Sequence, residues 1–294
     1  MLSNVFVGIR RSHIFGLAVY DLQLRFSPRN LLLTLFVDMR ISFLLFVSTL
    51  LSGASAGGDS SCSGSSSYVQ GCLPTVAVAN RASGTVSVLD AITGCLIETI
   101  DMPPGPNPAE PMYVNSTPRG LVYVNDRANN RIAVFDSTKQ YELVKLIPCG
   151  KGAFHTGSDQ AGTVLWVVND IEKSLTVIDM VHAEPIATID VSHIFPTKKP
   201  HDLSVTWDAR FAYVTFLGDD AGTDAIVKFD AVTYEVLEVN DNLAPDPHVS
   251  TTFRSNFVYV PQQGGNTVSL LKQTDLSEVE QVYVPNAVRN IHTK

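Results

Sequence analysis

Four histidines stand in near-regular succession along this chain: His155, His201, His248 and His292, separated by 46, 47 and 44 residues. Imidazole is a neutral nitrogen donor near physiological pH and a common protein ligand for copper, zinc and iron. One interval upstream of His155 the corresponding place falls near Met112, whose thioether suits copper. A spacing near 45 residues puts no two of these side chains on one helix or strand. It asks instead for repeated units that each deliver one donor to a common point. The expectation is a transition-metal site, of copper or another such metal, built from two to four of these histidines with Met112. The competing reading is a histidine that fills a repeated packing position and bonds a neighbouring backbone. His13, His182 and His193 fall outside the register, in a pre-sequence, a turn and a loop.

Other chemistry is thinly represented. No H-E-x-x-H, G-x-x-x-x-G-K-[ST] or G-x-G-x-x-G occurs, so no catalytic residue is nominated and enzymatic activity stays open. Asp90, Asp136, Asp179 and Asp230 recur with the repeat, but each follows a strand-like run, where an aspartate caps a turn. The stretch Gly218-Asp219-Asp220-Ala221-Gly222-Thr223-Asp224 could wrap calcium or form an ordinary polar hairpin; it is not the twelve-residue EF-hand loop. Trp166 and Trp207 read as core or turn packing.

The elements that must position the histidines are short strands. Paired runs recur: Thr75-VAVAN with Thr85-VSVLD, Leu121-VYVND with Ile132-AVFD, Val164-LWVVND with Leu175-TVID, Phe211-AYVTF with Ala225-IVKFD, and Phe257-VYVPQ with Thr267-VSLLK. Each alternates with period two and is rich in Val, Ile, Tyr and Phe, the pattern of a pleated surface buried on its faces. About four strands in every 45 residues is the measure of a propeller blade. The fold class expected is therefore all-β, a β-propeller of four-stranded blades over residues 73–294, about five of them visible. Histidines at the start of the innermost strand of each blade would converge on the axis. The first unit lacks that strand, and the C-terminal Asn286-AVRNIHTK has its pattern. Either the two ends pair and close a five-bladed ring, or the chain is a truncated form of a six- or seven-bladed protein.

On these residues the chain resembles two groups of proteins. Tyr123-Val-Asn-Asp, Trp166-VVND and Tyr213-VTF are similar to the YVTN-type propeller repeats of exported proteins, over roughly residues 73–294. That resemblance implies the fold, and a scaffold that binds a protein, glycan or small molecule. Asn125-DRANNRIAV followed by Ile147-PCGKGAFH resembles a stretch of the nitrous oxide reductase propeller, which implies a copper-ligand role for His155 alone. Neither a paired His-His nor a cupredoxin domain accompanies it.

The N-terminus carries targeting information. Arg40, the apolar run Ile41 to Leu51 and Ala54-Ser55-Ala56 form a signal peptide over residues 39–56, with 1–38 as an over-called start or pre-sequence and 57–72 as a Ser/Gly-rich lead-in. The apolar run is too short to span a bilayer, so the mature chain is expected to be secreted without a membrane span. Export favours disulfides, and pairing Cys62 with Cys72 would leave Cys95 with Cys149. Residues 57–294 hold 16 basic and 27 acidic residues, a balance of -11 that argues against nucleic acid as a partner. Asn115-Ser116-Thr117 is the sole glycosylation sequon, and Pro118 directly after it lowers its expected use. Two functional classes result: a secreted binding scaffold, and a copper-type metal carrier or oxidoreductase.

Overall fold

The computed structural model describes residues 74–218 and 223–284. The pre-sequence, the signal peptide, the lead-in, Cys62, Cys72, Asp219, Asp220 and His292 lie outside the described residues. Within them the chain forms five antiparallel sheets. The first has three strands: β1 (Thr75–Asn80), β2 (Thr85–Asp90) and β3 (Leu96–Asp101). Four-stranded sheets follow in chain order. They are β4 (Pro111–Ser116), β5 (Leu121–Asp126), β6 (Arg131–Asp136) and β7 (Glu142–Pro148), then β8 (Ala153–Ser158), β9 (Val164–Asn169), β10 (Ser174–Asp179) and β11 (Glu184–Asp190). The fourth sheet is β12 (Lys199–Val205), β13 (Phe211–Leu217), β14 (Asp224–Asp230) and β15 (Val236–Leu243). The fifth is β16 (Ser250–Thr251), β17 (Phe257–Gln262), β18 (Thr267–Lys272) and β19 (Glu278–Tyr283).

Each sheet is a propeller blade, and the core lies between blades. One buried cluster joins Tyr123, Ile132 and Val134 of the second sheet to Leu165, Val167 and Ile178 of the third. Another joins Trp166, Val168 and Val177 to Val214, Phe216 and Val227 of the fourth. Two more fill the first and last junctions. A single blade could not cover both apolar faces, which is why the central strands read as continuous Val, Ile and Tyr. Strand β4 packs beside β8, β8 beside β12 and β12 beside β16, so the first strand of each four-stranded sheet is innermost. β1 packs beside β4, and the first sheet has no innermost strand among the described residues.

Two polar devices recur blade by blade. Asp90, Asp179 and Asp230 each accept hydrogen bonds from two backbone N–H groups in the following turn, at 2.7–3.1 Å, and Asp136 accepts one from Thr138 at 2.9 Å. These carboxylates cap turns and are committed there. At the other end of the blade, Asn80 donates to Thr85 and Ser87, and Asn169 donates to Ser174 and Thr176 in the same way.

The cysteines require a correction. Cys149 carries a free thiol, so the bridge expected between Cys95 and Cys149 is not formed. Cys149 follows β7 and packs into the junction with the third blade, whereas Cys95 sits in the turn before β3 of the first blade, at the opposite end of the strands. A disulfide needs the two Cα atoms within about 7 Å, which those places do not provide. Burial pushes the Cys149 thiol up to about 12.

Candidate metal centre

The innermost strands begin irregularly. Pairing slips between Pro111 and Val114 on β4, between Ala153 and Thr156 on β8, and between Pro200 and Leu203 on β12. Each slip is a bulge: two residues, Met112-Tyr113, Phe154-His155 and His201-Asp202, stand where a regular strand has one. A bulge re-aims the side chains it carries, and here it does so at the mouth of the axis. In the second blade Asn125 Oδ1 holds it open by accepting from the N–H groups of Met112 (3.2 Å) and Tyr113 (2.6 Å). In the fourth, the Asp202 N–H donates to Thr215 Oγ1 at 3.0 Å.

The bulge shows that the histidines are not all equivalent. Ala153 and Pro200, which open two successive bulges, are 47 residues apart, whereas His155 and His201 are 46 apart. His155 therefore stands level with Tyr113 and Asp202, and His201 stands level with Phe154 and Met112. In the fifth blade Pro247 pairs with Gln262 and His248 follows directly, its N–H donating to the Pro261 carbonyl at 2.8 Å.

Despite this offset, His155, His201 and His248 meet. Their ring centroids are 4.7 Å (His155–His201), 4.9 Å (His201–His248) and 5.9 Å (His155–His248) apart. Met112 takes its place on the neighbouring bulge, but the second-blade residue that reaches the cluster is Tyr113, whose hydroxyl is 3.2 Å from His155 Nε2. Asp202 lies at the centre. His155 Nδ1 is 2.7 Å from its Oδ1 and His248 Nδ1 is 3.2 Å from its Oδ2. The backbone N–H groups of Leu203 (2.9 Å) and Val249 (3.1 Å) donate to the same two oxygens. His201 is different. Its Nε2 is buried with no hydrogen-bond partner and lies 3.8 Å from Asp246 Oδ1.

Side-chain exposures of 3, 13, 14 and 17 % for His155, Asp202, His201 and His248 shield the cluster from bulk water. Shielding sets the protonation states. Burial, with the neighbouring His155 and His248, lowers His201 to about 3 and keeps its imidazole neutral. Burial by itself would raise Asp202, but the hydrogen bonds and charges of His155 and His248 outweigh it and hold the carboxyl well below the usual range. His248 is raised: burial opposes its charge, and the Asp202 and Asp246 carboxylates more than offset that. Tyr113 is raised by burial and by the Asp202 charge.

Two donor sets follow from these distances. His201, Asp246 and His248 place one ligand atom each within 4.8 Å of one another, and so do His155, Asp202 and His248. The rim is aromatic and ionic. Phe154 packs edge-on to His155 at 4.3 Å, and Arg127, ion-paired with Asp170 at 2.8 Å, lies 5.2 Å from the Phe154 ring centre.

The blade geometry agrees with comparison to solved structures. The fold is that of β-propeller proteins. The chain is similar to a protein from Lactobacillus plantarum with a TM-score of 0.57 and 19% identity, over 72% of this chain and 69% of that one. It is similar to a candidate 6-phosphogluconolactonase from Bacteroides fragilis at 0.55 and 16%, over 71% and 68%. A third is the dihydro-heme d1 dehydrogenase NirN, at 0.52 and 13%, over 72% of this chain and 46% of that one. No protein-family model and no curated protein matches the sequence. Identities this low establish the fold alone, and the activities of these proteins differ, so the architecture carries no function by itself.

Sequence reasoning missed Asp202, Asp246 and Tyr113. Asp202 could have been found from its 47-residue spacing to His155, which equals the interval from His201 to His248. Of the other candidate features, Trp166 is fully buried in the core, and Trp207 packs edge-on against Phe253 at 4.9 Å. Asp224 accepts from the Gly218 and Asp246 N–H groups at 2.7 and 2.8 Å and is committed to the loop that carries Asp246.

Proposed function

We propose that this protein binds a divalent transition-metal ion at the mouth of the propeller axis through His201, His248 and Asp246. The observation that carries the reading is His201 Nε2, a buried nitrogen without a hydrogen-bond partner, set 3.8 Å from a carboxylate oxygen and beside a second imidazole. Ligand atoms around a tetrahedral ion with bonds of about 2.1 Å stand roughly 3.4 Å apart, so small side-chain adjustments close the set. Asp202 engages His248 Nδ1, so an ion held by His201 and Asp246 would take Nε2, the usual carboxylate–histidine–metal arrangement. Two imidazoles and one carboxylate with further positions open suit zinc, iron or copper, and an open position suits a carrier or a metal-dependent oxidoreductase. The likeness to the nitrous oxide reductase propeller bears only on His155, whose two nitrogens face Asp202 and Tyr113.

Elemental analysis of the mature protein, exported and desalted without chelator, tests the reading. Bound copper, zinc or iron that is lost when His201 and His248 are both replaced by Ala, with the far-ultraviolet spectrum unchanged, supports it. A folded, metal-free protein that takes up none of these ions overturns it.

A secreted binding scaffold is the second reading. It rests on the YVTN-type likeness, on the signal-like residues 39–56, and on the outermost strands, where Leu143, Val144, Ile186, Leu237 and Val282 are exposed. Apolar side chains presented on the outer strands would contact a protein, glycan or small-molecule partner. Expression of the full chain with its N-terminal sequence, followed by N-terminal sequencing of medium and cell fractions, tests export. A processed start near Gly57 in the medium is expected, and retention of residues 1–56 overturns it.

A further inference from the structure

The second donor set shares His248 with the first. His248 Nδ1 faces Asp202, which also holds His155 Nδ1. We infer that the axis mouth holds two metal ions, the second bound by His155 Nδ1, Asp202 and His248 Nδ1, with the His248 imidazolate bridging them. This inference rests on the metal-binding reading above and adds a second site to it.

Three features favour the second ion. First, the existing contacts are those of protons standing where a metal would stand. The Nδ1–H groups of His155 and His248 converge on the two oxygens of one carboxylate, at 2.7 and 3.2 Å. A divalent ion entering there releases one proton to solvent, from His248 as it becomes the imidazolate, while His155 carries its own proton on Nε2; the ion's two charges are met by that imidazolate and the Asp202 carboxylate. Second, the carboxylate does not depend on those protons for its position. Backbone N–H groups of Leu203 and Val249 each donate to one of its oxygens and would stay in place. Third, the far nitrogen of His155 already has the outer partner that a metal-bound imidazole wants: its Nε2–H would donate to the Tyr113 hydroxyl oxygen, 3.2 Å away. The distances from Asp202 to its two imidazoles lie below or near the ligand–ligand separation of roughly 3.4 Å for a tetrahedral ion, so metal entry spreads the set slightly.

Titration of the intact mature chain with Cu(II), read by native mass spectrometry and electron paramagnetic resonance, tests the inference without a variant. Two ions per chain are expected, with a resonance intensity well below that of the total copper because the imidazolate couples the two spins. His155→Gln should reduce the count to one and restore full intensity, whereas Asp246→Asn should remove the ion at His201. One ion per chain, lost in His201→Ala and kept in His155→Gln, overturns the second site and leaves the first reading standing. Two ions that both persist in His155→Gln also overturn it, because the second ion then lies elsewhere. No bound ion overturns both.

Discussion

His155 Nδ1 lies 2.7 Å from Asp202 Oδ1, and the two residues hold the same place on the bulges of successive blades. A repeated structural position thus carries a base in one blade and an acid in the next, and the pair locks the inner strands together. Asp202 does the same with His248 of the following blade, so three blades meet at one carboxylate.

That carboxylate is the first target. Asp202→Asn removes the charge that both imidazoles face and leaves an amide donor opposite an N–H. Breaking a buried charged pair costs about 3–5 kcal/mol, and loss of an outer carboxylate partner weakens metal binding by roughly 10–100-fold. Urea unfolding and Zn(II) titration of the variant should show both effects. Wild-type values in both would remove Asp202 from the centre of the cluster.

Acid should destabilise the protein through the same cluster. His201 is lowered from 6.5 to about 3, so between those values the unfolded chain binds a proton that the folded chain does not. Its contribution is fully present above about 6.5 and is lost as pH falls toward 3. Asp202, lowered from 3.8, adds to the loss at the acid end. His248, raised, acts in the opposite sense: its contribution is present below 6.5 and fades as pH rises through its folded value. The melting temperature of metal-free protein should therefore drop as pH goes from 6.5 to 3, with a shallower slope in His201→Gln.

The approach to His155 is held by a glycine. Gly152 has φ +78°, and a Cβ there would meet the Asp170 carboxylate and lie 2.9 Å from the Ile171 backbone nitrogen. Its N–H donates to Asn130 Oδ1 at 2.8 Å. Gly152→Ala should cost about 1–3 kcal/mol for a strained left-handed residue and displace Phe154 and His155. A lower melting temperature with weakened metal uptake is the expected result, read by calorimetry and titration.

Asn115 should remain unglycosylated. It lies on the innermost strand β4, where its amide nitrogen donates to Thr156 Oγ1 at 2.7 Å and its oxygen accepts from Ser158 at 3.4 Å. A glycan there would have to sit inside the axis. Intact mass of the protein secreted from a eukaryotic host should equal that of the unmodified mature chain, and an added glycan on a folded protein would contradict this placement.

The repeat is legible in the residues alone. Period-two runs of Val, Ile and Tyr, with Asp90, Asp136, Asp179 and Asp230 each closing the strand before the outermost one, specify blades because alternation and turn chemistry are local properties. It also nominated His155, His201 and His248, since a repeat of fixed length returns each start of the inner strand to the axis. Which residues share a position there depends on the folded blades. A bulge shifts register by a single residue, and the loops between blades vary in length by as much, so spacing alone aligned His155 with His201 when its structural counterpart is Asp202. Asp246 enters from the loop ahead of the fifth blade, held by the Asp224 carboxylate of the fourth, and Tyr113 arrives from the second. Those meetings depend on how blades turn about a common axis, a relation between distant segments that no local pattern encodes.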